Sequence, residues 1–440
     1  MQKIILLFGA GKSATVLIDY LIDEAAKNNW KILIADSDKE QILSKLNNSP
    51  FAEAFAIDVT KDNERSALIK QSDIVISLLP PALHFLIAKD CVAFSKNLLT
   101  ASYIDEQIKK LQPEIESKGL LFICEMGLDP GIDHMSAMKI IDSIRKKDGK
   151  IHLFKSHCGG LVAPESDNNP WRYKITWNPR NVIMAGKSGA VYKIDGNIVQ
   201  EKYEELFESI RSVQVPGIGF LSYYPNRDSR DYMELYNLND VYTFIRTTLR
   251  YLEFMYGWKN MIGLKLTDEI KEYETDGMLL SDFFKLHFNK NRVRKGLQQN
   301  INEELTLKQL VYLGMDDDKT LINKGLCSAA DVLQFAFEKR LALQPGDKDM
   351  VVMLHEINFE EQNSIWNLQS SMIVKGENNL KTAMAKTVGL PLGIAAKLIL
   401  NNVIKLSGIH IPVAKEIYEP VLAELENYGI HFTETINKQE

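Results

Sequence analysis

The segment LLFGAGKSATVL places Gly9, Gly11 and Ala14 directly after an apolar run and before a helical pattern. In that context the first glycine makes a tight turn, the second lets a pyrophosphate approach the backbone, and the small third residue lets helix and strand pack closely. The amides and the dipole of the helix N-terminus then stabilise the bound anion. The segment therefore predicts a turn that binds a dinucleotide cofactor.

Asp36 ends the next apolar run, KILIAD, at the position where an acid accepts hydrogen bonds from the cofactor ribose. A carboxylate there repels the additional ribose phosphate of NADP, so the sequence favours NAD. Ser37 and Lys39 lie close enough in the chain to weaken this preference. NADP therefore stays possible.

Two later apolar runs, DIVIS and NLLT, are each followed by candidate ligand-binding residues. Leu78 and Pro80 come after the first run, where a nicotinamide ring would contact apolar groups. His84 is expected on the surface of the following helix. Ser102 and Tyr103 come after the second run, at the carboxyl edge where ligands bind. For Tyr103, a packing role and a role as an acid both stay open.

The segment GLLFICEMGLDPGIDH concentrates acids, a proline and a histidine at one turn. Asp129 can cap free amides and Pro130 lacks a donor, so the pattern predicts that a helix begins there. This helix N-terminus would receive a substrate carboxylate, or Asp129 would hold a substrate ammonium group. For His134, a structural role and a ligand role both stay open.

Basic residues accumulate in the second half of the chain. They are Lys174, Arg180, Arg227, Arg230, Arg246 and Arg250. Surface ion pairs explain most single arginines, but several opposite a dinucleotide crevice favour a substrate with more than one carboxylate. In the same half, Cys158, Gly159 and Gly160 indicate that the backbone closely approaches another group.

The spacing of apolar runs predicts an α/β protein whose first domain is a Rossmann-type, doubly wound parallel sheet. A second, mixed α/β domain and an inserted all-helical domain follow, with strands predicted at YKITW and AVYKIDG and a helix at VYTFIRTTLRYLEFMYG. Ser281, Thr306 and Ser328 stand where helix N-caps belong. The predicted ranges are 1–130 for the Rossmann domain, 131–238 with 343–380 for the second domain, 239–342 for the insertion, and 381–440 for a helical segment packed on the first two.

Composition limits the classes of partner. The chain has 440 residues and a net charge of -6, without a long basic run, so nucleic acid is not an expected partner. The apolar N-terminal run is too short to span a bilayer and leads into the glycine turn, which predicts a cytoplasmic protein without a membrane partner. The four cysteines form no CxxC pair, so neither a metal site nor a disulfide framework is predicted.

Several segments in order, including VISLLPPALH, TASYI, GLDPGIDHMSAMKIID, CGGLVAPESDNNPWRYKITWNPR, YPNRDS, TLRY and TVGLP, carry a family resemblance along nearly the whole chain. The chain resembles the glutamate-forming saccharopine dehydrogenases, particularly the dehydrogenase half of animal aminoadipic semialdehyde synthase. The resemblance implies oxidation of saccharopine by a nicotinamide cofactor and hydrolysis of the imine to glutamate and 2-aminoadipate 6-semialdehyde. It also implies the three-part layout and a homodimer.

The resemblance assigns residues to roles. Substrate contacts fall on Ser102, Tyr103, Leu128, Asp129, Arg227, Thr248 and Arg250. Cofactor contacts fall on Gly9, Gly11, Lys12, Ser13, Leu78 and Pro80. Asp129, Tyr103 and Cys158 are the candidates for proton transfer, without a choice of base among them. Fungal members use NADP and have an arginine near the end of the second strand, where this chain reads ADSD.

Two alternatives stay open. One is a related reductase of the carboxynorspermidine or homospermidine synthase type, which would need fewer arginines for carboxylates. The other is a module that senses NAD without turnover. The sequence does not distinguish lysine synthesis from lysine breakdown.

Overall fold

A computed structural model describes residues 2–292 and 303–439 of the chain. The chain forms two compact units, residues 1–150 with 372–433 and residues 151–371 with 434–440. The predicted insertion at 239–342 includes residues 293–302, which lie outside the described residues. Its boundaries and those of the other predicted domains stay predictions.

The first part of unit one alternates strands and helices along the chain. The elements are β1 (Ile4–Phe8), α1 (Thr15–Asn28), β2 (Lys31–Asp36), α2 (Lys39–Leu46), β3 (Ala52–Ala56), α3 (Asp62–Gln71), β4 (Ile74–Ser77), α4 (Pro81–Ala93), β5 (Asn97–Thr100), α5 (Glu106–Lys109), α6 (Gln112–Ser117), β6 (Leu121–Ile123) and α7 (Ile132–Arg145). The strands are continuous apolar runs, typical of parallel strands covered on both faces. All their pairings are parallel, in the order β3-β2-β1-β4-β5-β6, which confirms the predicted doubly wound sheet.

Unit two is built around a larger, mixed sheet. Its elements are β7 (Lys150–Val162), α8 (Pro179–Ile183), β8 (Ala190–Ile194), β9 (Asn197–Glu201), β10 (Arg211–Val215), β11 (Gly219–Pro225), β12 (Arg227–Asp228), α9 (Arg230–Leu235), β13 (Thr243–Arg250), α10 (Leu252–Gly263), β14 (Tyr273–Glu274), α11 (Leu280–Lys290), α12 (Glu303–Tyr312), β15 (Leu326–Cys327), α13 (Ala329–Arg340), β16 (Asp349–Glu361) and β17 (Ser364–Lys375). The main path of the sheet runs β10-β11-β13-β7-β16-β17, with β8, β9 and β12 beside it.

The chain ends with α14 (Ala383–Leu400), β18 (Gly408–His410), α15 (Lys415–Glu426) and β19 (Thr433–Lys438). Strand β18 adds a seventh strand to the sheet of unit one beside β6, and β19 extends the sheet of unit two beside β17. Helix α14 is long and apolar enough to cross a membrane, but 83% of it is buried inside the protein, as in a core helix. It packs closely on α1, since a Cβ at Gly389 would lie 2.9 Å from Leu17 Cβ.

Two predicted elements of unit two are wrong. The helix expected over VYTFIRTTLRYLEFMYG begins only at Leu252, and Thr243–Arg250 forms the central strand β13. The apolar and threonine side chains of β13 are buried on both faces, so the run lacks the alternation that marks a half-exposed strand. The strand expected at YKITW is reduced to a single bridge between Ile175 and Ala342.

One of the predicted N-caps of unit two is confirmed. Ser328 caps α13 in a capping box with Asp331. Ser281 lies inside α11, whose N-cap is Leu279, and Thr306 lies inside α12. Ser281 is thus two residues past the N-cap of α11, and Thr306 is three residues past Glu303, the first described residue of α12, so both predictions are wrong by an error that is usual for helix boundaries.

Candidate active site

The glycine turn lies where β1 meets its helix in unit one. Gly9 has φ +96°, and a Cβ there would lie 2.9 Å from the carbonyl oxygen of Leu78, so glycine is required. Gly11 is extended and a Cβ there would meet no atom within 4 Å, which leaves its backbone open to a ligand. A short 3-10 turn, Lys12–Ala14, leads into α1, and Ala14 is buried. The turn therefore fits the pyrophosphate of a dinucleotide.

The Asp36 carboxylate holds this turn from the end of β2. One oxygen accepts the amide hydrogen of Ala10 at 2.7 Å, and the other accepts from the backbone of Asp38 at 3.1 Å and from the Ser37 hydroxyl at 3.2 Å. Both carboxylate oxygens are thus engaged by donors of the protein. The acid that the sequence assigned to the ribose has a complete structural role without a ligand.

Lys45, on α2, adds a positive charge to the same turn. Its ammonium group donates to the carbonyl oxygen of Gly11 at 2.6 Å and to that of Ala10. Burial lowers the pKa of Lys45 to about 8, although the nearby Asp36 carboxylate opposes this shift. A partly buried cation therefore offsets the Asp36 charge next to the predicted cofactor position.

The parallel register places the other candidates of unit one at the same edge of the sheet. Phe8 pairs with Ser77, and Ser77 pairs with Thr100, so the residues that follow β1, β4 and β5 are level. Leu78 donates its amide hydrogen to the Phe8 carbonyl at 2.8 Å. Pro80 is exposed, and Ser102 and Tyr103 are half-buried just beyond β5.

The GLDPG turn follows β6 at this edge, and its predicted helix start is wrong. Helix α7 begins at Ile132 with Gly131 as its N-cap, so neither Asp129 nor Pro130 caps the helix. Gly131 has φ +144°, and a Cβ there would lie 2.1 Å from the Gly127 carbonyl oxygen, which only glycine avoids. Asp133, in the first turn of the helix, accepts the amide hydrogen of Gly131 with its carboxylate at 2.6 Å. Leu128 is buried and Asp129 half-buried in the turn.

Glu125 and His134 form a buried pair beneath this turn. Glu125 Oε2 lies 3.0 Å from His134 Nε2, and the exposed fraction of both side chains is 2% or less. Glu125 Oε1 accepts the amide hydrogen of Ile104 at 3.2 Å, and its own amide donates to the Ser102 carbonyl at 3.0 Å. One carboxylate therefore fastens the loop after β5 to the start of α7. The buried contact with Glu125 gives His134 a structural role in unit one.

Cys158 and Thr248 form a second group of candidates, in unit two. They are register partners on the parallel strands β7 and β13, and Cys158 is buried. A Cβ at Gly159 would lie 2.5 Å from the Leu249 carbonyl oxygen, so the predicted close approach of the backbone at this site is to β13. Thr248 and Arg250 share one face of β13 because side chains alternate along a strand.

Arg250 is buried, with an exposed fraction of 3%. Its guanidinium lies 5.5 Å from the ring centre of Tyr173 and 5.3 Å from that of Phe254, and one nitrogen donates to the Leu249 carbonyl at 2.8 Å. Among the described residues, its Nε has no hydrogen-bond partner and no carboxylate pairs with the guanidinium. The side chain could therefore pair with an anionic ligand.

The other basic candidates have different surroundings. Arg227 is exposed at the start of β12 with φ +56°. Lys174 forms an ion pair with Asp347 at 2.7 Å. Arg180 forms ion pairs with Glu269 at 2.8 Å and Asp331 at 3.0 Å. Arg230 forms an ion pair with Asp228 at 2.6 Å. Arg246 is buried with its guanidinium 4.1 Å from the ring centre of Tyr232. Ion pairs within the protein therefore account for Lys174, Arg180 and Arg230.

Family models cover both parts of the chain. Residues 5–123 match the saccharopine dehydrogenase NADP binding domain, and residues 127–430 match the saccharopine dehydrogenase C-terminal domain. The chain belongs to the saccharopine dehydrogenase family. The resemblance drawn from the sequence is therefore confirmed.

Relatives within this family are of two lengths. The NADP(+), L-glutamate-forming saccharopine dehydrogenase of Saccharomyces cerevisiae is 33% identical over 451 residues, covering 99% of each chain. The mitochondrial alpha-aminoadipic semialdehyde synthase of Bos taurus is 34% identical over 453 residues, covering 98% of this chain and 48% of that protein. The chain thus spans about half the length of the synthases it matches. The apo structure of the histidine-tagged L-Glu-forming saccharopine dehydrogenase from Saccharomyces cerevisiae has a TM-score of 0.88 at 29% identity, covering 99% of this chain and 100% of that one.

The predicted preference for NAD is wrong. The matching family model is an NADP binding domain, and the fungal saccharopine dehydrogenases are named for NADP(+). The prediction assumed that Asp36 faces the ribose as a free charge. Its oxygens instead accept three hydrogen bonds from the protein, and Lys45 offsets its charge.

The sequence reasoning missed three residues of this saccharopine dehydrogenase family member. Lys45 and Glu125 were not considered, and His84 was placed on a helix surface, whereas its exposed fraction is only 3%. Glu125 lies two residues after β6, and this position at a strand end, the same signal that found Ser102, could have identified it. His84 lies in the first turn of α4, seven residues after the end of β4, so no strand-end signal marks it. Lys45 carries no such signal, because only the folding of α2 brings it to the turn.

Proposed function

We propose that this protein oxidises saccharopine with NADP(+) and water to L-glutamate, 2-aminoadipate 6-semialdehyde and NADPH. Arg250 is the observation that carries the proposal, because a buried guanidinium without a carboxylate partner is costly unless an anionic ligand pairs with it. Saccharopine has three carboxylates and two amines, and it supplies such an anion. The names of the fungal relatives support the same reaction.

The proposed substrate contacts are Ser102, Tyr103, Leu128, Asp129, Arg227, Thr248 and Arg250. Arg250 pairs with one substrate carboxylate in a charge-assisted hydrogen bond, and the exposed Arg227 attracts another. Asp129 holds a substrate ammonium group. The family resemblance and the positions of these residues at strand ends and turns support this assignment.

The proposed cofactor contacts are Gly9, Gly11, Lys12, Ser13, Ala14, Leu78 and Pro80. Bound NADP(+) supplies the acceptor for the hydride that leaves the carbon next to the secondary amine. The open backbone of Gly11 and the N-terminus of α1 would hold the pyrophosphate, and Leu78 and Pro80 would contact the nicotinamide. Asp36 acts on the turn through Ala10 and does not contact the ribose in this proposal.

Proton transfer completes the reaction. Water adds to the substrate imine and loses one proton, which gives a carbinolamine. As the carbon–nitrogen bond breaks, the hydroxyl of the carbinolamine loses its proton to form the aldehyde, and the departing amine of glutamate takes up both protons. Asp129, Tyr103 and Cys158 are the proposed groups for these transfers. Replacing each in turn with Asn, Phe and Ser, and comparing the pH profiles of kcat/KM, identifies the residue whose loss removes an ionisation.

The function is tested by mixing the purified protein with saccharopine and NADP(+) and following reduced nicotinamide by absorbance and glutamate by chromatography. We expect equal amounts of NADPH and glutamate. Arg230→Gln serves as a control because Arg230 pairs with Asp228 at the surface. Folded protein that binds NADP(+) but neither reduces it nor releases glutamate would contradict the proposal.

We also propose that the protein acts in the cytoplasm as a homodimer. The four cysteines are buried and form no disulfide, which suits a reducing compartment. The dimer rests on the family resemblance. Light scattering on the purified protein tests it, and a mass of one chain at micromolar concentration would contradict it.

A further inference from the structure

A chain of hydrogen bonds joins the ends of β4 and β5 through His84. The imidazole Nδ1 lies 2.8 Å from Ser77 Oγ, and Nε2 lies 2.8 Å from Ser102 Oγ. Thr100 Oγ1 is 3.3 Å from the same Nε2 and accepts the Ser102 amide hydrogen at 3.2 Å. The imidazole thus contacts hydroxyl groups on two neighbouring strands.

Only one of the two ends of this chain is a ligand contact in the proposed function. Ser77 is the last residue of β4 and precedes Leu78, a proposed cofactor contact. Ser102 is a proposed substrate contact, and it is half-buried whereas Ser77 and His84 are buried. The buried end of the network is therefore fixed by the sheet, and its outer end is the hydroxyl available to a ligand.

The burial of His84 keeps its ring neutral. Desolvation lowers the pKa of His84 to about 4, although the Asp105 carboxylate opposes this shift. A neutral imidazole has one donor and one acceptor nitrogen. Whichever nitrogen carries the proton, Ser102 Oγ stays bonded to Nε2, and only the direction of that bond changes. The tautomer decides whether Ser102 offers the substrate a proton or a lone pair.

The geometry points to His84 as a positioning residue that fixes the Ser102 hydroxyl for the substrate by anchoring it to Ser77 on the neighbouring strand. This inference rests on the proposed oxidation of saccharopine. It assigns a role in substrate binding to a residue that contacts neither the substrate nor the cofactor. Without the anchor, the Ser102 side chain would rotate and lose part of its bond to the substrate.

Two amide variants of His84 test the contacts of its two ring nitrogens one at a time. The amide group of Asn lies near the position of Nδ1, so His84→Asn keeps the contact with Ser77 and loses that with Ser102. The amide group of Gln reaches the position of Nε2, so His84→Gln keeps the contact with Ser102. Both variants remove the imidazole from the same buried site, so a purely structural role predicts the same effect for both.

The test measures KM and kcat for saccharopine and KM for NADP(+) in the wild type and both variants, with melting temperatures as a control. We expect His84→Asn to raise the KM for saccharopine about tenfold, equivalent to about 1.4 kcal/mol and one hydrogen bond. His84→Gln should stay within about threefold of the wild type, and the KM for NADP(+) should be unchanged in both.

Equal values of KM for saccharopine in the two variants would overturn the inference, as would a parallel rise in the KM for NADP(+). In that case wild-type turnover leaves the proposed function intact. A wild type that binds NADP(+) but does not oxidise saccharopine would overturn both. Ser102→Ala adds a check, because His84→Asn should have no further effect on KM in that background.

Discussion

Two regions of the molecule differ in how their buried polar groups are partnered. One is the carboxyl edge of the sheet in unit one, and the other is the strand β13 in unit two. In unit one, the carboxylates of Asp36 and Glu125 and the imidazole of His84 each contact donors or acceptors of the protein. In unit two, Arg250 is buried and its Nε has no hydrogen-bond partner among the residues that the structure describes. The polar groups of the first region stabilise its own turns, whereas the Arg250 guanidinium of the second contacts a backbone carbonyl and two aromatic rings.

This difference has an energetic meaning. A satisfied buried network stabilises the fold and fixes backbone positions, whereas an unpaired buried charge costs free energy in the absence of a ligand. Residues that reduce stability are found at functional sites. The comparison therefore predicts that substitution of the buried Glu125 in unit one lowers stability and activity together, while substitution of Arg250 lowers activity alone.

The largest effect is expected for Arg250→Met. Loss of a desolvated charge that pairs with a substrate carboxylate should reduce kcat/KM for saccharopine about 1,000-fold, equivalent to about 4 kcal/mol. The melting temperature should not fall, because methionine retains the contact with Tyr173 and Phe254 without a buried charge. Steady-state kinetics and calorimetry measure the two quantities.

Arg246→Met is the matched control, because Arg246 lies on the same face of the same strand and contacts Tyr232. We expect it to lower the melting temperature. If Arg250→Met lowered the melting temperature as much as Arg246→Met, the inference that Arg250 does not stabilise the fold would be wrong.

The next effect is expected for Glu125→Gln. A carboxylate has two acceptor oxygens and an amide has one, so Gln can meet both the Ile104 amide and His134 only by turning its NH2 group to the ring, and the charge-assisted bonds of the carboxylate are lost. The free energy of unfolding should fall by about 2 kcal/mol, and kcat/KM for saccharopine should fall with it. Urea denaturation and kinetics on the same preparation test this coupling.

Glu53→Gln is the control for this substitution, since Glu53 pairs with Lys31 at the surface of the same sheet. It should change the free energy of unfolding by less than about 1 kcal/mol. If Glu125→Gln had normal stability and normal kinetics, the buried pair of Glu125 and His134 would not fasten the loop after β5 to the start of α7.

The sequence predicted the parts of the molecule that depend on local pattern. Alternating apolar runs and glycine spacing identified the parallel sheet, the dinucleotide turn and the strand ends that carry Ser102 and Tyr103. The start of α7 was misplaced because Gly131, at φ +144°, extends the turn past Asp129 and Pro130. Strand β13 was misread because it is buried on both faces and continues directly into a helix.

The contacts that complete the site depend on tertiary structure. Lys45 reaches the turn from α2, across 34 positions of the chain from Gly11, and His84 contacts residues on two strands. The role of Asp36 was misjudged for the same reason, since its partner Ala10 lies on another strand end. A polar residue at a strand end predicts a ligand contact, but only the folded protein shows whether that side chain is already hydrogen-bonded to another part of the chain.

The smallest effect is expected for Lys45→Met, and it concerns the cofactor alone. The ammonium group holds the carbonyls of Ala10 and Gly11 and offsets the Asp36 charge beside the anionic cofactor. Its loss should raise the KM for NADP(+) about tenfold, equivalent to about 1.4 kcal/mol, and leave the KM for saccharopine unchanged. Lys31→Met, which removes a surface partner of Glu53, should change neither value.

The pH dependence sharpens this prediction. Because the pKa of Lys45 is lowered to about 8, its charged form is lost as the pH rises through that value. The KM of the wild type for NADP(+) should therefore rise between about pH 7 and pH 9, whereas that of Lys45→Met should stay flat over this range. A parallel rise in both proteins would assign the ionisation to another group. The turn would then be held by Asp36 without a contribution from the lysine charge.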